Sequence, residues 1–85
     1  MPELSRFLGI VIYMNYREHP PAHFHADYGE YEITVDIATG VVTGKFPRRA
    51  LNVVLEWYSL HKEELAEDWE RAVRKLPLKP IDPLE

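Results

Sequence analysis

The chain has 85 residues, with ten Lys plus Arg, fourteen Asp plus Glu and four His, giving a net charge of −4 with the histidines neutral. A chain of this size can build one core, and its acidic balance excludes a generically basic nucleic-acid coat. Cysteine is absent, which excludes disulfides, thiolate nucleophiles and cysteine-held zinc or iron–sulfur clusters, so any metal must sit on His and carboxylates.

The first apolar stretch, Phe7 to Met14, is too short to span a bilayer and follows no basic, cleavable leader. A soluble cytoplasmic protein of one domain, 1–85, is therefore expected. No repeat or low-complexity block divides it, and the hydrophobic period changes once, near Pro47. Before that point the pattern alternates as in strands. Residues 6–16 are rich in Ile, Val, Tyr and Phe, and read as one central strand. Residues 23–28 put His23, His25 and Asp27 on one face, with Phe24, Ala26 and Tyr28 on the other. In 31–37, Tyr31, Ile33, Val35 and Ile37 oppose Glu32, Thr34 and Asp36. A two-residue loop at Tyr28-Gly29 would join these two strands, pairing His25 with Glu32, His23 with Thr34 and Phe24 with Ile33. Ala38-Thr39-Gly40 supplies a second turn, and 41–46 returns as a shorter strand in which Gly44 suggests a bulge.

Pro47 suits a first helical turn. Apolar residues then recur at helical spacing through Leu51, Val54, Leu55 and Tyr58 and again through Leu65, Trp69, Ala72 and Val73. One straight helix of that length would reach about 40 Å at ~1.5 Å per residue, longer than a small domain is wide. A bend or break between Ser59 and Lys62 is expected, giving one long bent helix or two helices, 47–60 and 62–75. The proline-rich remainder, from Pro77, reads as an extended tail with Ile81 and Leu84 able to dock. The fold class is α+β, an antiparallel sheet of three to four strands covered on one face by helix.

Chemistry concentrates in H-P-P-A-H-F-H, where His19, His23 and His25 fall within seven residues. On a strand His23 and His25 project from one face, about 7 Å apart at the backbone, so both rings can converge on one ion. Three readings suit the set. His19, His23 and His25 are candidate ligands for a divalent Zn, Mn or Ni ion, with an open position for water. Alternatively, His23 and His25 act as general acid and base oriented by Glu32, or their protonation switches an interface with pH. The competing explanation is a solvated sheet face whose histidines pair with Glu32 and Asp27 across the strands. Lys45, Arg48 and Arg49 gather at a helix start and form a candidate anion site, or else simply a solvated edge. Glu63, Glu64, Glu67, Asp68 and Glu70 read as an acidic helix surface, while Trp57, Tyr58 and Trp69 read as core.

Four segments carry a resemblance: P-E-L-S-R-F-L-G-I-V-I-Y-M, E-H-P-P-A-H-F-H-A-D-Y-G-E-Y, P-R-R-A-L and E-W-Y-S-L-H-K-E-E-L-A-E-D-W. Together they resemble a family of short prokaryotic proteins classed as a domain of unknown function, number four-one-six-zero. The family's usual Asn-Pro-Pro spacer is replaced here by Pro20-Pro21-Ala22, with His19, His23 and His25 in place. The resemblance implies a stand-alone protein encoded beside a second small gene, in a toxin–antitoxin-like pair. Two functions are thus expected. One is a protein-binding component of such a pair, working as a homo-oligomer or as a heteromer with the neighbour's product. The other is a small RNase or hydrolase using the His19/His23/His25 cluster, with RNA as a possible partner. A free-standing DNA binder has neither a recognition helix nor a zinc-finger spacing to support it.

Overall fold

A computed structural model describes residues 2–85. Five strands form one sheet in chain order: β1 (Glu3–Phe7), β2 (Ile10–Tyr13), β3 (His23–Tyr28), β4 (Tyr31–Asp36) and β5 (Val42–Lys45), every neighbouring pair antiparallel. Two helices follow, α1 (Arg48–Leu60) and α2 (Lys62–Val73). The α+β class holds, but the sheet has five strands where three to four are expected. The stretch 6–16 turns back on itself: Leu8 and Gly9 take positive φ of 51° and 81°, and Phe7 pairs with Ile10 across this two-residue loop. Positive φ at both central positions is the type I′ signature. Leucine is a poor residue for that conformation, so the alternating run conceals the turn.

The β3–β4 loop is also displaced. Gly29, at φ 59°, and Glu30 form the loop, so Tyr28 pairs with Tyr31 and the whole register moves by two residues. His25 lies opposite Thr34, His23 opposite Asp36 and Phe24 opposite Val35. A shift of two preserves the faces, because side chains alternate with period two. The last strand is Val42–Lys45, shorter than 41–46, and Gly44 is paired in register with Ile33 rather than bulged. Glycine is required there for another reason: at φ 110° a Cβ would lie 2.5 Å from the Glu32 carbonyl oxygen.

Core side chains come from alternate strand positions and from both helices. Ile10, Ile12, Phe24, Ala26, Ile33 and Val35 are buried against Val54, Trp57, Tyr58 and Leu65. Trp57 is fully buried, its ring centroid 5.6 Å from that of Phe7 and 5.8 Å from that of Phe24. Burying one such aromatic is worth about 1.5–3 kcal/mol. The helix break falls at His61, whose φ of −128° and ψ of 23° end α1 and start α2 without Gly or Pro. α2 stops two residues short of 75. Leu76 N–H donates to Arg71 O and Lys75 N–H to Ala72 O, with Lys75 at φ 57°: a Schellman termination with lysine where glycine is usual.

Beyond α2, Ile81 is buried and its N–H donates to Leu4 O at 2.8 Å, while Trp57 Nε1–H donates to Asp82 O at 2.8 Å. Asp68, expected on the acidic surface, is buried; it accepts Lys79 N–H at 2.8 Å, and burial pushes its carboxyl up from the ordinary 3.8. The acidic surface is left to Glu63, Glu64, Glu67 and Glu70.

Gly44→Ala forces the β4–β5 pair apart or strains its backbone. A loss of about 1–3 kcal/mol is expected, which for a domain this size lowers Tm by roughly 5–15 °C. Thermal unfolding followed by circular dichroism reads this, and an unchanged Tm would contradict the close approach.

Candidate functional site

Because β3 buries Phe24 and Ala26, alternation sends His23 and His25 to the opposite, polar face of the sheet. Tyr13 on β2 pairs with His25 and stacks on it, centroids 4.9 Å apart and planes 12° from parallel. The His23 ring sits 5.2 Å from that of His25 and 5.3 Å from Trp69 on α2. Above the pair passes the β2–β3 connection, 14–22, which turns at Tyr16-Arg17 and presents Glu18 to both imidazoles.

Glu18 Oε1 is 2.5 Å from His25 Nε2, and Glu18 Oε2 is 3.7 Å from His23 Nε2. Asn15 Nδ2 donates to the same Oε1 at 2.9 Å and fixes the carboxylate. One donor atom from each of Glu18, His23 and His25 lies within 4.8 Å of the others, and each side chain is a quarter exposed or less. Both Nε2 atoms thus face Glu18, and the Nδ1 atoms face away. His23 Nδ1 is 2.8 Å from Pro21 O. His25 Nδ1 is buried and has no hydrogen-bond partner, with Glu32 Oε2 at 3.9 Å.

Of the expected residues, the fold brings His23 and His25 together. His19 is exposed and stands outside the group, its neighbour Glu18 occupying the third corner. Glu32 lies in the next shell: it accepts the Tyr13 hydroxyl at 2.8 Å, while Asp27 Oδ1 lies 3.4 Å from the same hydroxyl. Burial, then the bond to Glu32 and the charge of Asp27, push the Tyr13 phenol far above its ordinary value, so it stays protonated as a donor. Lys45 ends β5, paired in register with Glu32, and Arg48 and Arg49 open α1; all three are exposed. Arg49 faces a shallow groove with Leu8, Tyr28 and Val53.

Asn15, Glu18 and Tyr13 are the site residues the spacing of histidines does not reveal. The available signal was the carboxylate directly before His19, two residues after an N-Y start that turns back the chain. In chemical terms the group offers two imidazole nitrogens and one carboxylate, a set that holds a borderline divalent cation.

The Asn15 hydrogen bond lowers the Glu18 carboxyl below its ordinary 4.5; burial opposes this, and the His25 hydrogen bond adds to the lowering. A depressed carboxyl contributes stability that is complete above the unfolded value and is lost as pH falls through the folded one. Glu18→Gln should therefore cost on the order of 1 kcal/mol at pH 7. The difference from wild type should shrink as pH falls below the ordinary carboxyl value of 4.5 in urea unfolding series, and a pH-independent difference would exclude the charge as its cause.

Neither the curated proteins nor the solved structures contain a match to the chain. A family model described as Domain of unknown function (DUF4160) matches residues 9–70, from the β1–β2 turn into α2 and across every residue of the Glu18–His23–His25 group. The match spans most of the chain, which therefore belongs to the DUF4160 family.

Proposed function

We propose that the protein binds a divalent transition metal through Glu18, His23 and His25 and uses it in hydrolysis. The observation that carries this reading is the convergence of both His Nε2 atoms on one carboxylate, with each Nδ1 turned toward an oxygen. Metal-bound histidines usually donate the remote N–H to a carbonyl or carboxylate. Pro21 O already serves His23, and Glu32 needs a short side-chain swing to serve His25. Ligands held ~2.1 Å from a tetrahedral zinc are about 3.4 Å apart. The 3.7 Å gap already suits an ion, and the 2.5 Å bond opens by about 1 Å as its proton leaves.

Three protein ligands leave a position for water, whose pKa a bound zinc lowers to about 7. An ion held by Glu18, His23 and His25 would supply such a hydroxide for attack on an acyl or phosphoryl centre, where the new bond to oxygen would replace the bond to the leaving group and the proton given up by water would end on that group. Zinc, manganese and nickel all tolerate this donor set.

Calorimetric titration of the chelator-treated protein with zinc should show one ion per chain, with proton release. His23→Ala and His25→Ala should each weaken binding at least about 100-fold, Asn15→Ala about 10-fold, and His19→Ala not measurably. Equal loss in the His19 variant, or no binding by wild type, would falsify the assignment.

A second reading rests on Leu8, 71% exposed and held at positive φ beside the groove of Tyr28, Arg49 and Val53. An exposed apolar side chain kept in a strained turn fits a contact with another protein. In this reading the protein is the cytoplasmic binding component of a two-gene toxin–antitoxin-like pair. Leu8→Asn suits the turn better yet removes the contact. It should raise thermal stability while weakening co-purification with the neighbouring gene's product at least about 10-fold; undiminished co-purification removes Leu8 from the interface.

A further inference from the structure

The polar face carries a second feature that the metal group does not use. Beside His23 lies an open hollow of about 220 Å³, lined by Pro21, His23, Thr34, Asp36, Val41 and Thr43. Its floor follows from the strand register. Thr34 pairs with Thr43 across β4 and β5, and Asp36, two positions along β4, pairs with His23. Two hydroxyls, one carboxylate and one ring edge thus share a face, while Pro21 and Val41 supply apolar walls from the flanking loops.

Asp36 is the only carboxylate in this lining. Its Oδ1 accepts Ala38 N–H at 2.9 Å and Thr39 N–H at 3.0 Å, which fixes the group's direction. No ion pair engages it among the described residues. Carboxylates outnumber cations around it: Glu18 and Glu32 stand on this side of the sheet, Glu3 neutralises Arg6 at 2.7 Å, and Lys45 on β5 and the exposed Arg17 of the 14–22 connection add positive charge further out. Such a face repels phosphates and attracts cations. The hollow is smaller than the common drug-sized pocket of roughly 300–1,000 Å³, and matches a single long side chain with an apolar stem and a polar tip.

We propose that this hollow is a subsite for an ammonium- or guanidinium-bearing side chain, with Asp36 as its anchor, Thr34 and Thr43 as hydroxyl acceptors and Val41 and Pro21 around the stem. The inference rests on the metal-site reading in one respect: His23 borders both features, so the subsite presents a basic peptide or a small basic amide or ester to the ion. RNA is thereby disfavoured as substrate, since its backbone would meet carboxylates on this face.

The probes are Nα-acetyl-lysine N-methylamide and its norleucine counterpart, which differ by the terminal ammonium alone. Amide shifts in 15N–1H spectra are followed in zinc-free and in zinc-loaded protein, with zinc occupancy determined separately by calorimetry. The lysine probe should bind about five- to tenfold more tightly than the norleucine probe in at least one form, shifting Thr34, Val41 and Thr43. Asp36→Asn keeps the oxygen that caps Ala38 and Thr39 and removes the charge, so it should abolish the preference while leaving the rest of the spectrum in place. Equal binding of the two probes in both forms, or a lysine preference that survives Asp36→Asn, overturns the subsite. Failure of zinc to bind, with the Asp36-dependent preference intact, overturns the metal centre and leaves the subsite standing.

Discussion

Everything at the polar face depends on what β3 must bury. Phe24 and Ala26 are fully covered, and Phe24 lies against Trp57 and Tyr58 of α1, with ring centroids 5.8 and 6.0 Å away. Since strand side chains alternate, that burial fixes His23 and His25 on the other face with no freedom to slip by one residue. Sliding β3 by one position would expose Phe24 and bury two imidazoles without partners. That exchange loses roughly 1.5–3 kcal/mol of apolar burial and leaves unpaired polar groups inside. The core thus orients the histidines, and the site inherits its rigidity from the packing beneath it.

The third member of the group has a different origin. Glu18 comes from an irregular connection, and irregular backbone holds a side chain in place only when local bonds define it. Here Asn15 braces the carboxylate from three residues upstream, and His25 takes the same oxygen from across the gap. Tyr13 lies beneath His25 as a flat support, and its hydroxyl ties Glu32 near the unpartnered Nδ1. The result is a pair of rings held from below by a strand neighbour and a carboxylate held from above by a loop. Such layering is how a site reaches usable geometry on a small scaffold.

Period and length carried much of the fold in readable form. Alternation in 23–28 and 31–37 placed the faces of β3 and β4, and the excessive length of the helical pattern led to the break that His61 makes. Two turns were concealed because their residues defy turn chemistry: leucine occupies a left-handed position in the first hairpin, and lysine closes α2 where glycine is usual. At the β3–β4 hairpin the glycine is visible, but which side of it the loop takes is decided by strand pairing rather than by composition. For the site, H-x-H on a strand pointed to His23 and His25, since two residues of one face need only a period of two. Glu18 was hidden behind His19, because adjacent loop residues point in directions that only the path of the connection decides.

Span also bears on what an ion in this group would do. Glu18, His23 and His25 lie within eight residues of each other, on one strand and the loop that leads into it. A structural metal earns its stabilisation by closing a long loop or replacing a core, and closing so short a loop constrains the unfolded chain little. The core here is already continuous across sheet, helices and the 76–85 segment through Trp57, Leu65 and Ile81. Occupancy still adds stability by mass action, about 2.7 kcal/mol at one hundred times the dissociation constant. But a fold that stands on Trp57 and Phe24 does not need that increment, and three ligands rather than four would leave such an ion open to water. Short span, an independent core and an incomplete ligand shell together mean that an ion bound by Glu18, His23 and His25 would serve chemistry rather than folding.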